Sequence, residues 1–123
     1  MKVGIAISIA AALAAGAAWS ASNAKQPKGY LVAEIEVTEP QAYKDYAAKA
    51  GPVIAACGGK YLSRGGAVEA LEGTPPAPRF VIVEFASLDI ARRCYRSPEY
   101  QAIAPIRQNA SKSRFWLSEG LPR

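Results

Sequence analysis

The sequence predicts an α+β domain in which a four-stranded antiparallel sheet carries two helices on one face. Three observations point there. Residues 29–38 alternate apolar and polar side chains with period two. Residues 39–59 place apolar side chains at helical spacing. The same strand–helix order then returns after a pair of strands. A chain of 123 residues has room for one such domain and not two.

The first 24 residues stand apart. Met1 and Lys2 form a short basic start, Val3 to Trp19 carries no charge, and small residues lead to Ala24. This is the plan of a secretory signal peptide, with cleavage expected between Ala24 and Lys25. The protein is thus expected in the periplasm or outside the cell. The uncharged run is nearly long enough to span a bilayer, so an uncleaved N-terminal membrane anchor is the alternative. No cysteine directly follows the run, which argues against a lipid-modified terminus. Residues 25–28 form a polar linker, 29–120 the single domain, and 121–123 a C-terminal tail.

The first strand is "GYLVAEIEVT", with Leu31, Ala33, Ile35 and Val37 on one face and Tyr30, Val32, Glu34 and Glu36 on the other. A helix follows from Glu39, with Pro40 in its first turn and Gly58-Gly59 as its stop. Gly51-Pro52 is expected to kink it. "KYLSRGGAVEALEG" is expected as the second strand, bent at Gly65-Gly66. "TPPAPR" makes a turn. "RFVIVEFAS" is the third strand, placing Val81, Val83 and Phe85 opposite Phe80, Ile82 and Glu84. Residues 87–111 read as helix in two pieces, capped by Ser87 and Ser97 and disturbed at Pro105. "RFWLSEG" closes as the fourth strand. The order βαββαβ is that of the ferredoxin-like fold.

Helices on one face leave the other sheet face bare. That face carries Val32, Phe80 and Ile82 beside Glu34, Glu84 and, by expectation, Arg64. Apolar surface of that extent calls for a cover, and a symmetric pairing of two sheets supplies one. A homodimer is therefore expected.

Composition excludes several chemistries. The chain has no histidine. The usual zinc and non-haem iron ligand sets, a Ser-His-Asp triad and histidine-ligated haem all fall away. No cofactor and no metal is expected. The net charge of +5 is spread among acids, without a tight basic cluster, so nucleic acid is not expected as a partner. Cys57 and Cys94 both fall on apolar helix faces, which favours two buried thiols. Export leaves a disulfide open as the other possibility.

Glu84 is the candidate catalytic base, because a carboxylate in an apolar strand is expensive to bury unpaired. The competing reading pairs it with Arg64 or with tyrosine hydroxyls. Arg64, beside the flexible Gly65-Gly66, is placed to clamp a carboxylate or phosphate. Tyr43 and Tyr46 are three apart and offer hydroxyls to a pocket, or simply core packing. Tyr95, Tyr100 and Arg107 flank the Ser97-Pro98-Glu99 helix start. Tyr100 and Arg107, seven apart, share a face and suit an anion. Ser97 lacks any histidine or lysine base and reads as a cap.

"GYLVAEIEVTEPQAYKDY", "GGKYLSRGGAVEALEG", "RFVIVEFAS" and "CYRSPEYQAIAPIR" together resemble the domain-of-unknown-function 1330 family across about residues 29–120. The most specific parts are Arg64-Gly65-Gly66, Glu84-Phe85 and the Tyr95-to-Tyr100 motif. The resemblance implies pairing into a dimeric α/β barrel, in the superfamily of several small monooxygenases, isomerases and haem-dependent peroxidases. It implies no particular reaction. Two features depart from the family pattern: the export signal, and Cys94 where relatives often carry an aromatic residue.

The function expected from all this is an exported dimer that binds a small anionic or aromatic compound, either as a cofactor-independent enzyme or as a binding protein. The alternative is a non-catalytic structural or interaction dimer. The signal peptide makes the first prediction: intact mass of protein recovered from an exporting host should match a chain starting at Lys25. A mass retaining residues 1–24 would leave the membrane anchor standing instead.

Overall fold

Strand β1 (Gly29–Val37) lies inside the sheet, and its alternation sets both faces. Leu31, Ala33 and Ile35 are almost wholly buried under the helices, while Tyr30, Val32 and Glu34 face away and are half-buried. In the computed structural model the described residues are 26–123. The expected signal segment and its cleavage site lie outside them.

The remaining elements are α1 (Pro40–Ala56), β2 (Lys60–Arg64), β3 (Arg79–Phe85), α2 (Leu88–Arg96), α3 (Pro98–Ala110) and β4 (Ser111–Glu119). The strand order is β2-β3-β1-β4, with every neighbour antiparallel. This is the expected βαββαβ arrangement, its second helix divided into α2 and α3. Register places Val83 beside Leu31, Val81 beside Ala33, and Phe115 on the other side of Ala33. Alternate residues thus form one apolar layer, against which α1 and α3 pack side by side. Burying Phe85 and Val83, each 1% exposed, stabilises the fold by roughly 1.5–3 kcal/mol per side chain.

Ser97 explains the break between α2 and α3. Its hydroxyl donates to the Cys94 carbonyl at 2.7 Å and accepts from the Tyr100 amide at 3.2 Å. One side chain therefore closes one helix and opens the next. Ser87 caps α2 by accepting from the Ile90 amide.

Three expectations need correction. β2 ends at Arg64, and residues 66–78 carry neither strand nor helix. Gly65 takes φ +72°, which favours glycine, and a Cβ there would come within 2.6 Å of Arg79 Nη1. The backbone therefore turns off the sheet where a bend within the strand was expected. β4 begins at Ser111, three residues early, because its pairing with β1 continues to Val37. Helix α1 runs unbroken through Pro52, and α3 through Pro105. Both prolines are exposed, as are Ala48 and Gln101, so water can hydrate the carbonyls they leave without a donor.

The cysteines form a disulfide, Cys57–Cys94, with Cα atoms 5.9 Å apart. That spacing lies in the normal range for a bridge. Cys57 occupies the C-cap of α1 and Cys94 the buried face of α2. Helical spacing assigned each cysteine to an apolar face but could not show that the two faces meet. By loop-closure arguments, a bridge of this span stabilises by about 4 kcal/mol. The urea midpoint should fall by that equivalent on reduction, or in the Cys57→Ser/Cys94→Ser double variant. An unchanged midpoint would mean that the bridge adds nothing to the fold.

Candidate functional site

Helix α1 turns Tyr43, Tyr46 and Ala50 onto the sheet, and α3 turns Tyr100, Ala104 and Arg107 the same way. Their aromatic rings form a row with Tyr95 and Phe115. Centroid separations along it are 5.5 Å for Tyr43–Tyr46, 6.4 Å for Tyr46–Tyr100, 5.2 Å for Tyr100–Tyr95 and 6.2 Å for Tyr95–Phe115. The hydroxyls of Tyr46 and Tyr100 share a buried hydrogen bond of 2.7 Å.

Three arginines lie against this row. Arg64 sits over the Tyr61 ring at 4.2 Å and donates to the Ala47 carbonyl. Arg79 donates from Nε to the Tyr43 hydroxyl at 3.0 Å, its guanidinium 5.3 Å from that ring. Arg107 lies 4.0 Å over Phe115 and donates from Nη1 to Ser113 Oγ at 2.7 Å. Each contact is within cation–π reach. Among the described residues, no carboxylate lies within ion-pairing distance of any of the three. The cluster is cationic and aromatic, without an acid.

Burial sets the protonation states. It pushes the Tyr46 phenol far above its ordinary value of 10.0, and the neighbouring Tyr100 adds to the rise. Burial likewise raises Tyr43 and Tyr61, against the pull of Arg79 and Arg64 respectively. For Arg107, burial works to lower the pKa, but the surrounding tyrosines, Tyr100 foremost, outweigh it and the net shift is upward. The guanidinium stays charged while 4% exposed.

The space enclosed by Tyr43, Tyr46, Tyr61, Arg64, Arg79 and Tyr100 is about 40 Å³. That is room for a water molecule or two. Among the described residues, no group of three or more histidine, cysteine, aspartate or glutamate side chains could hold a metal ion.

The structure brings together Tyr43, Tyr46, Tyr95, Tyr100, Arg64 and Arg107. It does not bring Glu84 to them. Strand β3 alternates, so Glu84 points to the bare face while Val83 and Phe85 point to the helices. There Glu84 accepts a hydrogen bond from Tyr30 at 3.3 Å, with Lys60 opposite it on β2. Arg64 is the reverse case and lies on the helix side. A register irregularity between Tyr61 and Ser63 shifts the alternation of β2 at Leu62. Tyr100 and Arg107 share a helix face, yet the Tyr100 hydroxyl is taken by Tyr46. Glu34 is bound by Arg114, whose Nε and Nη2 both donate to Oε1 at 3.0 and 2.8 Å. Sequence reasoning missed Arg79, although counting back from Val81 in steps of two places it on the helix side. Ser113 and Phe115 were also missed. They follow from the same count on β4 once its true start is known.

The fold and this cluster together define a small ferredoxin-like α+β protein with an arginine–tyrosine cleft between helices and sheet. The chain belongs to the family described as Domain of unknown function (DUF1330), which it matches over residues 28–121. A protein of unknown function from Rhodopseudomonas palustris is similar at 22% identity and TM-score 0.63, over 85% of this chain and 90% of that one. SnoaB, a cofactor-independent oxygenase from Streptomyces nogalater, is similar at 16% identity and TM-score 0.56, over 75% and 91%. A dimeric ferredoxin-like protein of unknown function from Thermobifida fusca is similar at 14% identity and TM-score 0.53, over 76% and 92%. At these identities the likeness is one of fold. No curated protein matches the chain.

The buried phenol pair makes a measurable prediction. A raised phenol pKa stabilises the fold fully below the unfolded value of 10.0, and this contribution is lost as pH climbs above it. The urea midpoint should therefore fall in alkali. Tyr46→Phe should cost about 1–2 kcal/mol at neutral pH, by leaving the Tyr100 hydroxyl unpaired, and should flatten the alkaline fall. Equal slopes in the two proteins would show that Tyr46 does not titrate late.

Proposed function

We propose that the protein is an exported homodimer that binds a small aromatic anion at the cleft. The observation that carries this is the set of guanidinium groups facing tyrosines with no carboxylate among them. Arg64, which is exposed, and Arg79, which is half-buried, stand at one side of the cleft, over Tyr61 and Tyr43, with no carboxylate among the described residues in ion-pairing distance. A ligand carboxylate matches the charge, and its ring matches the tyrosines. The enclosed space is small, so binding requires Tyr43 or Tyr61, or residues 66–78, to give way.

The bare sheet face supports the dimer. Val32, Phe80, Ile82 and Trp116 make an apolar centre, and Glu34–Arg114 and Tyr30–Glu84 border it. Trp116 is 42% exposed. An apolar centre with a polar rim is the anatomy of a protein interface. Glu84 would act as a base only for a ligand held between the two sheets. The Thermobifida fusca neighbour, which is dimeric, is consistent with such pairing. The cofactor-independent oxygenase neighbour is consistent with chemistry that needs no metal.

A second reading is a structural dimer without a ligand. The filled interior favours it, since about 40 Å³ holds no organic molecule.

Calorimetric titration with benzoate, with benzamide as the neutral isostere, separates the two readings. Saturable benzoate binding is expected, weakened about tenfold by Arg79→Gln, with benzamide much weaker. Absence of benzoate binding, or equal affinity for benzamide, would overturn the aromatic-anion reading and leave the structural dimer. For the dimer itself, light scattering at micromolar concentration should give twice the chain mass, and Ile82→Glu should give the single-chain mass. A monomeric mass for the unaltered protein would end that proposal.

A further inference from the structure

Arg107 differs from the other two arginines in being almost wholly buried, at 4% exposure. Its Nη1 reaches Ser113 Oγ, but its Nε is buried without any hydrogen-bond partner among the described residues. Such a donor is unusual, because buried polar groups nearly always find a partner. Cation–π contact with Phe115, and at 5.9 Å with Tyr46, offsets part of the cost of burying the charge. It does nothing for the Nε–H.

Arg107 also lines a separate depression between the end of α3 and the start of β4. Its volume is about 380 Å³, and its other walls are Tyr95, Gln108, Ser111, Ser113 and Phe115. Among the described residues, no aspartate or glutamate lines it. Its side-chain donors are one guanidinium, two serine hydroxyls and a glutamine amide. The Ser111 hydroxyl is occupied with the Arg107 carbonyl at 2.6 Å, which leaves Ser113 and Gln108 as the adaptable donors. Ser113 lies opposite Ile35 on β1, so its backbone is held by the sheet and its position is fixed.

We infer that this depression is a second binding site, taking a single oxyanion group, carboxylate or phosphate, against Arg107, Ser113 and Gln108. The planar guanidinium suits two oxygens at once, and hydroxyl and amide donors beside it suit the remaining lone pairs. The ligand needs no aromatic ring and no opening of the cleft. The site therefore stands or falls independently of benzoate binding at Arg64 and Arg79.

The Arg107 Nε–H itself reports on occupancy, because it is shielded from water and gives a side-chain proton–nitrogen resonance by NMR. Titration with sodium acetate and, separately, sodium phosphate should move that resonance along a saturable curve. Chloride at matched ionic strength should not. Saturation by only one of the two supports the site equally and identifies the oxyanion it accepts. Ser113→Ala and Gln108→Ala, both outside the core, should each weaken binding by roughly three- to tenfold while the protein stays folded. A resonance unmoved by either oxyanion into the tens of millimolar, or moved just as far by chloride, would overturn the inference. So would binding that both variants leave unchanged.

Discussion

The register of β1 between β3 and β4 is the constraint on which every other feature rests. Side chains along a strand alternate, so the pairing of Ala33 with Val81 on one side and Phe115 on the other sends one set inward and the next outward. The inward set supplies the floor beneath the tyrosines and orients Arg79 towards Tyr43. The outward set supplies Val32, Phe80, Ile82 and Glu84. A slip of one residue in β1 would exchange that strand's two faces. It would turn Glu34 and Glu36 under the helices and expose Leu31 and Ile35. The cost of burying two carboxylates without partners makes that alternative inaccessible.

The cluster above this floor has an uneven energy balance. Phe85, Val83 and their neighbours contribute in the ordinary way, by leaving water. Arg107 does not, since a cation held among rings gains less than it loses unless its donors are met. The Tyr46–Tyr100 pair shares one hydrogen bond, which ties α1 to α3. Each of those hydroxyls thus has a partner, whereas Arg107 Nε has none among the described residues. Stability alone would favour an aliphatic residue at 107. The arginine marks the place where the fold departs from its own best packing.

Much of the fold could be read from the residues. Period-two alternation in β1 and β3 is strict, and the serine caps at 87 and 97 stand where hydrogen bonds confirm them. The order of elements followed directly. The candidate site was legible only in part. Tyr43, Tyr46 and Tyr100 meet because two helices lie side by side, a contact that helical spacing suggests but does not locate. Glu84 was expected either to act as a base beside Arg64 and the helix tyrosines or to pair with a tyrosine hydroxyl; its alternation with Val83 and Phe85 places it on the other face, where Tyr30 supplies that hydroxyl. Arg64 was misassigned for a different reason, since a single irregularity at Leu62 reverses parity with no mark in the sequence. The disulfide was hidden because residues 37 apart in the chain give no sign of adjacency.

The ends of the domain leave the sheet side by side. Gly29 pairs with Glu119, and the Gly120 amide donates to the Lys28 carbonyl. A mechanical pull on those two ends would load the β1–β4 ladder one rung at a time, like a zipper opened from its free end, and not in shear. Resistance to the first extension should therefore be low. The cross-link between Cys57 and Cys94 acts later and differently. It withholds the intervening chain from the load and shortens the attainable length by roughly 120 Å. A machine that threads the polypeptide would find an easy start and then a knot of β2, β3 and α2 that only a reductant could release.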